Sequence, residues 1–292
     1  MTTLEQIEAV LATSAQNDER HDSRRAVGDA REEAAQLLAA AERAGGDPLE
    51  LARQRANGTP LAFLTGRTRF MNVELLSDDG ALVPREETEI LGRAALDRLR
   101  QLADLDPERE LRVVDMCCGA GNLACALATH VPRTRIWAAD LTDGCVALAR
   151  RNVRHLGLDA RVSVHQGDLF GALDDLELEG TLDVLVCNPP YISTGRLEKE
   201  RAELLEHEPR EAFDGGPYGL SVHQRVLKEG HPFLREPVSG TPVASLLLEF
   251  GLGQEKQVEL LFKRLRKYGQ LEWFADPSGN ARAVGCLKQP AN

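Results

Sequence analysis

Leu111-Arg112-Val113-Val114-Asp115-Met116-Cys117-Cys118-Gly119-Ala120-Gly121-Asn122 decides the fold. Its first half is an apolar run of the type that forms a fully buried strand. The glycine-rich turn that follows leads into a helix over Leu123 to Thr129. Strand, turn and helix in immediate succession make a parallel α/β unit. Gly119 and Gly121 permit close backbone approach and unusual φ angles. The helix N-terminus adds free N–H groups. A dinucleotide fingerprint needs a third glycine, and Leu123 or Ala124 stands there instead. That argues against NAD.

Two further strands end in acids. Arg135 to Asp140 closes on Asp140, roughly twenty residues past the glycines, the spacing at which a carboxylate takes ribose hydroxyls. Arg161 to His165 runs into Gln166-Gly167-Asp168-Leu169, where an acid can accept from an adenine amino group. One such acid is an ordinary surface carboxylate; Asp115, Asp140 and Asp168 at successive strand ends form a pattern. Ribose and adenine contacts without a pyrophosphate cradle fit S-adenosylmethionine.

The fourth strand, Leu182 to Cys187, runs into Asn188-Pro189-Pro190-Tyr191. In open α/β sheets that edge is where ligands bind. Pro189 and Pro190 lack N–H, so the turn presents carbonyl acceptors, and the Asn188 amide adds another. Such acceptors suit a substrate –NH2 group. Tyr191 offers a flat face for a planar group or a cation. The tetrapeptide is the motif of methyltransferases that act on amide or exocyclic amino nitrogen. Asn188, Pro189 and Tyr191 are therefore the candidate catalytic residues.

From about Pro60 to Leu287 the chain resembles the HemK/PrmC family, the release-factor glutamine methyltransferases. Four blocks carry the resemblance: Pro60 to Gly66, Leu82 to Glu89, Asn188 to Tyr191, and Glu206 to Pro209 followed by Phe213 to Gly216 and Gly219-Leu220. It implies that Cys117, Cys118, Gly119, Ala120 and Gly121 wrap the methionine end of S-adenosylmethionine. It also implies that Asp140 holds the ribose and that Asp168 and Leu169 flank the adenine. Asn188, Pro189, Pro190 and Tyr191 would hold the acceptor, with Glu89 and Glu208 as polar supports. The sequence departs from the family in three places, one of them Glu86, which replaces a proline. Cys117 to Gly121 replaces the usual Gly-Thr-Gly-Ser-Gly, and the segment between Arg43 and Pro60 is short. The shortening favours a small acceptor, or the cofactor itself, over a release factor. In the latter alternative the α-amine of the cofactor closes an azetidine-2-carboxylate ring and expels methylthioadenosine.

Composition agrees with a soluble enzyme. The chain has 292 residues and a net charge of −11. That charge argues against gripping a nucleic-acid backbone. No apolar run reaches the roughly 18 residues of a membrane span, and the N-terminus lacks a basic-then-apolar leader, so a cytoplasmic location is expected. Six cysteines without C-x-x-C spacing read as reduced thiols, and no metal site is expected. The expected architecture is an α/β, class I methyltransferase (Rossmann-like) seven-stranded sheet over residues 107–292. A helical domain over residues 1–60, with a polar stretch from Thr13 to Ser23, and a hairpin linker with a lead-in helix over 61–106, the hairpin spanning Thr68 to Leu82, would precede it. After Gly219 the pattern predicts a helix to about Leu234, a strand from Val243 to Phe250, a helix from Gln254 to Tyr268, and strands near Leu271 to Phe274 and Ala281 to Leu287, the last pair an antiparallel addition.

Overall fold

The computed structural model describes residues 2–17, 27–200, 205, 208–237 and 244–289. Glu206 and His207 of the fourth sequence block, part of the polar stretch Thr13 to Ser23, and the expected strand start at Val243 lie outside them. The chain forms two compact units, Met1–Thr68 with Leu76–Asp79, and Arg69–Leu75 with Gly80–Asn292.

The first unit is helical: α1 (Thr3–Asn17), α2 (Val27–Ala44), α3 (Pro48–Ala56) and α4 (Leu61–Thr65). Apolar residues three and four apart put Leu4, Ile7 and Leu11 on one face of α1. Ile7 and Leu11 pack with Ala34, Leu37 and Ala52 in a small buried core. Gly45, at φ +73°, ends α2. Asp47 then caps α3, accepting from the Leu49 amide at 2.9 Å, with Pro48 at the first helical position. Arg55 and Glu33 join α3 to α2 through two parallel bonds of 3.1 Å.

A hairpin follows, β1 (Arg67–Phe70) and β2 (Val73–Leu76), shorter than the Thr68 to Leu82 span expected from the sequence. Met71 and Asn72 both have positive φ, the two-residue turn that matches strand twist. A non-glycine pair there is costly and needs fixing. The Glu89 carboxylate accepts from the Met71 amide at 2.7 Å, and His130 Nε2 lies 2.7 Å from the Met71 carbonyl.

The second unit is a seven-stranded sheet. Its strands are β3 (Leu111–Met116), β4 (Thr134–Asp140), β5 (Val162–Gln166), β6 (Val184–Cys187), β7 (Ser245–Glu249), β8 (Tyr268–Ala275) and β9 (Ala281–Lys288), in the spatial order β5-β4-β3-β6-β7-β9-β8. The first five are parallel, and β9 lies antiparallel between β7 and β8. The order reverses between β3 and β6, so the crevice opens beyond their C-terminal ends.

Helices cover both faces, which is why the central strands carry buried apolar residues toward both layers. Val113, Ile136, Val184 and Val186 face the layer of α5 (Thr88–Leu105), α6 (Asn122–His130) and α7 (Asp143–His155). Val114, Trp137, Leu185 and Leu248 face the layer of α9 (Ser221–Gly230) and α10 (Glu255–Leu265). A further short helix, α8 (Thr194–Glu200), follows the Asn188 loop. The sequence placed the end of the helix after Gly219 near Leu234. It stops at Gly230 because Pro232 allows only a 3-10 turn over His231–Phe233. Likewise α10 ends at Leu265, not Tyr268, because Arg266 turns left-handed at φ 52°.

Candidate active site

The parallel register sets Met116 beside Cys187, so the turns that begin at Cys117 and Asn188 leave the sheet side by side. A cleft of about 1020 Å³, partly open to solvent, lies over them. Its floor is Cys117, Cys118 and Gly119, one end is Asp140 to Thr142, and the other is Asn188 with Thr88 and Arg85.

The glycine turn is built for close approach. Cys117, Gly119 and Gly121 have φ of 58°, 54° and 76°. The Cys118 amide donates to the Ala139 carbonyl at 3.0 Å, joining the turn to the end of β4. The Gly119 amide donates to Asp140 Oδ2 at 2.9 Å, and Asp140 Oδ1 takes the Thr142 amide at 3.1 Å. A carboxylate has about four acceptor positions, so Asp140 keeps capacity for hydroxyls from the cleft. Buried Asn152 holds the Ala120 carbonyl from below at 2.9 Å.

Asp115 stands beneath the turn, fully buried, accepting from the Ala124 amide at 2.9 Å through Oδ2. Its Oδ1 has no partner among the described residues. Burial pushes its pKa up to about 7 against the pull of the Ala124 bond, and Asp140 adds to the rise. Asp168 lines the cleft, but both of its oxygens are engaged by Arg225 Nη1, at 2.8 and 3.0 Å. An adenine amino group there meets an ion pair, not a bare carboxylate. Leu169 lines the cleft beside it, at φ 50°.

At the other end, Asn188 Nδ2 donates to the Thr88 hydroxyl at 3.1 Å. Among the described residues nothing donates to Asn188 Oδ1, and Asn188 lines the cleft with Pro190. Tyr191 does not line it. Its hydroxyl lies 3.5 Å from Glu249 Oε1, and burial, then the Glu249 charge, raise its pKa. Tyr191, expected to offer a stacking face, thus has its hydroxyl at the end of β7 and stays off the cleft lining. Pro189, Ala120 and Gly121 also lie outside the cleft wall.

The two glutamates expected as substrate supports have structural partners. Glu89 binds the Met71 amide and Arg93, the latter at 2.6 Å, and stays off the wall. Glu208 accepts from the Val83 amide at 2.9 Å and from Arg85, so it shapes the wall segment 82–85 from behind. Sequence reading missed Thr88, Arg225 and Glu249. Glu249 was accessible to the argument used for the other acids, because it ends an apolar strand.

Comparison with known proteins agrees with this geometry. The family model described as "Methyltransferase small domain" matches residues 95–237. A release factor glutamine methyltransferase of Moorella thermoacetica is 36% identical over 229 residues, covering 78% of this chain and 75% of that protein. The chain belongs to the release factor glutamine methyltransferase family. This family member is also similar to the 4-amino-L-phenylalanine/4-methylamino-L-phenylalanine methyltransferase of Streptomyces pristinaespiralis, 36% identical over 240 residues, 82% of this chain and 76% of that one. The crystal structure of the N-terminal domain of human METTL16 shares the fold at a TM-score of 0.52 and 15% identity, covering 83% of each chain.

The family member is an S-adenosylmethionine-dependent methyltransferase, of the α/β, Rossmann-like class I fold. Its residues suit that cofactor. The positive-φ turn at Cys117 to Gly121 lets the backbone approach closely, and Asp140 retains acceptor capacity beside it. No helix among the described residues is long and apolar enough to cross a membrane.

Proposed function

We propose that this chain methylates a nitrogen that carries N–H, in an amide or an amine, held at Asn188. The carrying observation is the orientation of the Asn188 amide. One of its two N–H groups is donated to Thr88, and nothing among the described residues donates to Oδ1, which remains an acceptor for a group in the cleft. The bound cofactor supplies an electrophilic sulfonium methyl. Asn188 Oδ1 accepts the substrate N–H and fixes the nitrogen so that its lone pair points along the cleft. Orientation of this kind can remove several kcal/mol of barrier. Apolar walls from Leu82, Pro84 and Met116 reduce the water around that dipole, which strengthens it. The chain then needs no strong base, because a nitrogen that has gained a methyl becomes acidic enough to lose its proton to solvent. Asp168 and Arg225 border the adenine end in this reading.

Two acceptor classes are favoured by specific observations. The Moorella relative supports the glutamine amide of a protein. The Streptomyces relative, equally identical, supports a small aromatic amine. The short link between α2 and α3 favours the second. Ring closure of the cofactor, open from the sequence, finds no support in these methyltransferase relatives.

Incubation of the whole chain with S-adenosylmethionine, then with 4-amino-L-phenylalanine or with a release-factor domain carrying the Gly-Gly-Gln motif, tests the reading. The expected outcome is acceptor-dependent S-adenosylhomocysteine with methyl on nitrogen. Methylthioadenosine release from the cofactor alone, or methyl on oxygen, would overturn it.

A further inference from the structure

Four elements converge on one carboxyl beneath the acceptor loop. Glu249 closes β7 and is 1% exposed. Its Oε1 faces the Tyr191 hydroxyl at 3.5 Å, and its Oε2 has no partner among the described residues. Arg282 of β9 attracts the carboxyl, and Glu87, just before α5, repels it. Arg282 and Glu87 are themselves 3.6 Å apart. Thr88, the first residue of α5, connects this carboxyl to the site. Its Oγ1 accepts from Asn188, and its hydroxyl lies close enough to Glu249 to favour the ionised form. An unpartnered buried acceptor costs free energy. The Thr88 hydroxyl, which favours the ionised form of this carboxyl, has no other acceptor for its own proton among the described residues.

We infer that Glu249 is a positioning residue for methyl transfer: it draws the Thr88 hydroxyl proton, so that Thr88 Oγ1 must act as acceptor and hold the Asn188 NH2 inward, with Oδ1 toward the substrate nitrogen. The inference rests on the nitrogen-acceptor role of Asn188 argued above. A hydroxyl has a single proton to donate. Once that proton goes to Glu249, Thr88 can offer Asn188 only lone pairs, and the amide has one satisfied orientation. The same carboxyl faces the Tyr191 hydroxyl and steadies the far end of the loop. Above about pH 7, where Glu249 is ionised and the comparison is made, glutamate has two acceptor oxygens, and glutamine at this position has one oxygen and one NH2. Either Thr88 or Tyr191 then loses its acceptor, and the Asn188 amide is free to flip. A flipped amide presents N–H to the substrate N–H, and two donors face each other.

The test reads the amide directly, then turnover. Asn188→Ala identifies the Asn188 side-chain NH2 resonances by their loss from the spectrum of the whole chain with S-adenosylhomocysteine bound. Hydrogen exchange of that NH2 is expected to speed up at least tenfold in Glu249→Gln and Thr88→Val, and to stay within twofold of wild type in Thr88→Ser. With the acceptor that the wild type methylates, kcat is expected to fall at least tenfold in Glu249→Gln while the dissociation constant for S-adenosylmethionine changes less than twofold. The Glu249→Gln/Thr88→Val pair is expected to be no worse than either single change. Unchanged exchange in Glu249→Gln, or multiplicative losses in the pair, would overturn the inference. If Glu249→Gln does not fold, Thr88→Val and Thr88→Ser carry the same comparison. If the wild type methylates neither acceptor, the proposed function falls, while amide exchange still decides the role of Glu249.

Discussion

Asp140 divides its carboxylate between the protein and the cleft. Oδ2 holds the Gly119 amide and Oδ1 holds Thr142. On the proposed function, Asp140→Ala removes a cofactor contact and loosens the glycine turn together. We expect S-adenosylmethionine to bind more weakly by roughly 1–3 kcal/mol, and calorimetry showing unchanged affinity would remove Asp140 from the site. Glu249 leads to a pH prediction. Burial, against Thr88 and Arg282, moves its pKa from 4.5 up to about 7. The folded state thus holds a proton that the unfolded state releases between those values, and this group loses stabilising effect as pH rises through that window. Glu249→Gln lacks the titration. Relative to wild type, the variant should gain on the order of 1–3 kcal/mol between about pH 4.5 and 7, and nothing further above. The charged neighbours Arg282 and Glu87, with Tyr191 and with His223 on the Glu249 carbonyl, are common to both proteins. Urea unfolding at pH 5 and pH 8 measures the difference; an identical gap at both would contradict the raised pKa. At this scale the acids at strand ends were legible, because a charge closing an apolar run is a local signal. Arg225 was not, since it meets Asp168 across 57 positions of sequence, and no local pattern encodes such a pairing.

Close contacts between elements depend on where a Cβ is absent. Gly144, in the first turn of α7, lies where an added Cβ would come within 2.5 Å of the Gly80 carbonyl oxygen. Backbone cannot give way as a side-chain tip can, so Gly144→Ala must push α7 away from the segment that leads to Leu82 and Pro84. We expect a loss of about 1–3 kcal/mol, with weaker cofactor binding because those residues line the cleft. Gly195, in α8, meets nothing within 4 Å. Gly195→Ala should instead stabilise by about 0.5 kcal/mol through the unfolded chain. Equal effects of the two changes in denaturant unfolding would refute this steric account. Neither glycine differs from the other in the sequence, because the discriminating neighbour is remote. Strand and helix identity was far more legible. Apolar runs marked β3 to β7, and Pro232 could have set the end of α9 had its missing N–H been weighed.

Across the whole molecule, alternation of strands and helices announced a parallel sheet, and the last two strands read as an antiparallel addition. The order of strands was not written locally; it follows from crossovers that reverse direction between β3 and β6. That reversal places the turns at Cys117 and Asn188 on neighbouring strands of one unit. Ligand binding should accordingly stabilise that unit as a whole. S-adenosylmethionine at a hundred times its dissociation constant adds about 2.7 kcal/mol, a rise in melting temperature of roughly 5–10 °C. NADH, for which the turn lacks its third glycine, should produce no rise in the same thermal scan.

The six thiols bear on this in another way. Cys118, Cys125, Cys145, Cys187 and Cys286 are buried, and burial raises the pKa of each. A thiol kept protonated inside the core is a poor nucleophile toward alkylating reagents. Cys117 alone is partly exposed, and it forms part of the cleft floor beside Asn188. A maleimide added near neutral pH should therefore mark one site per folded chain, and bound cofactor should shield it. The rate of that single labelling event becomes a meter of cleft occupancy that requires no knowledge of the acceptor.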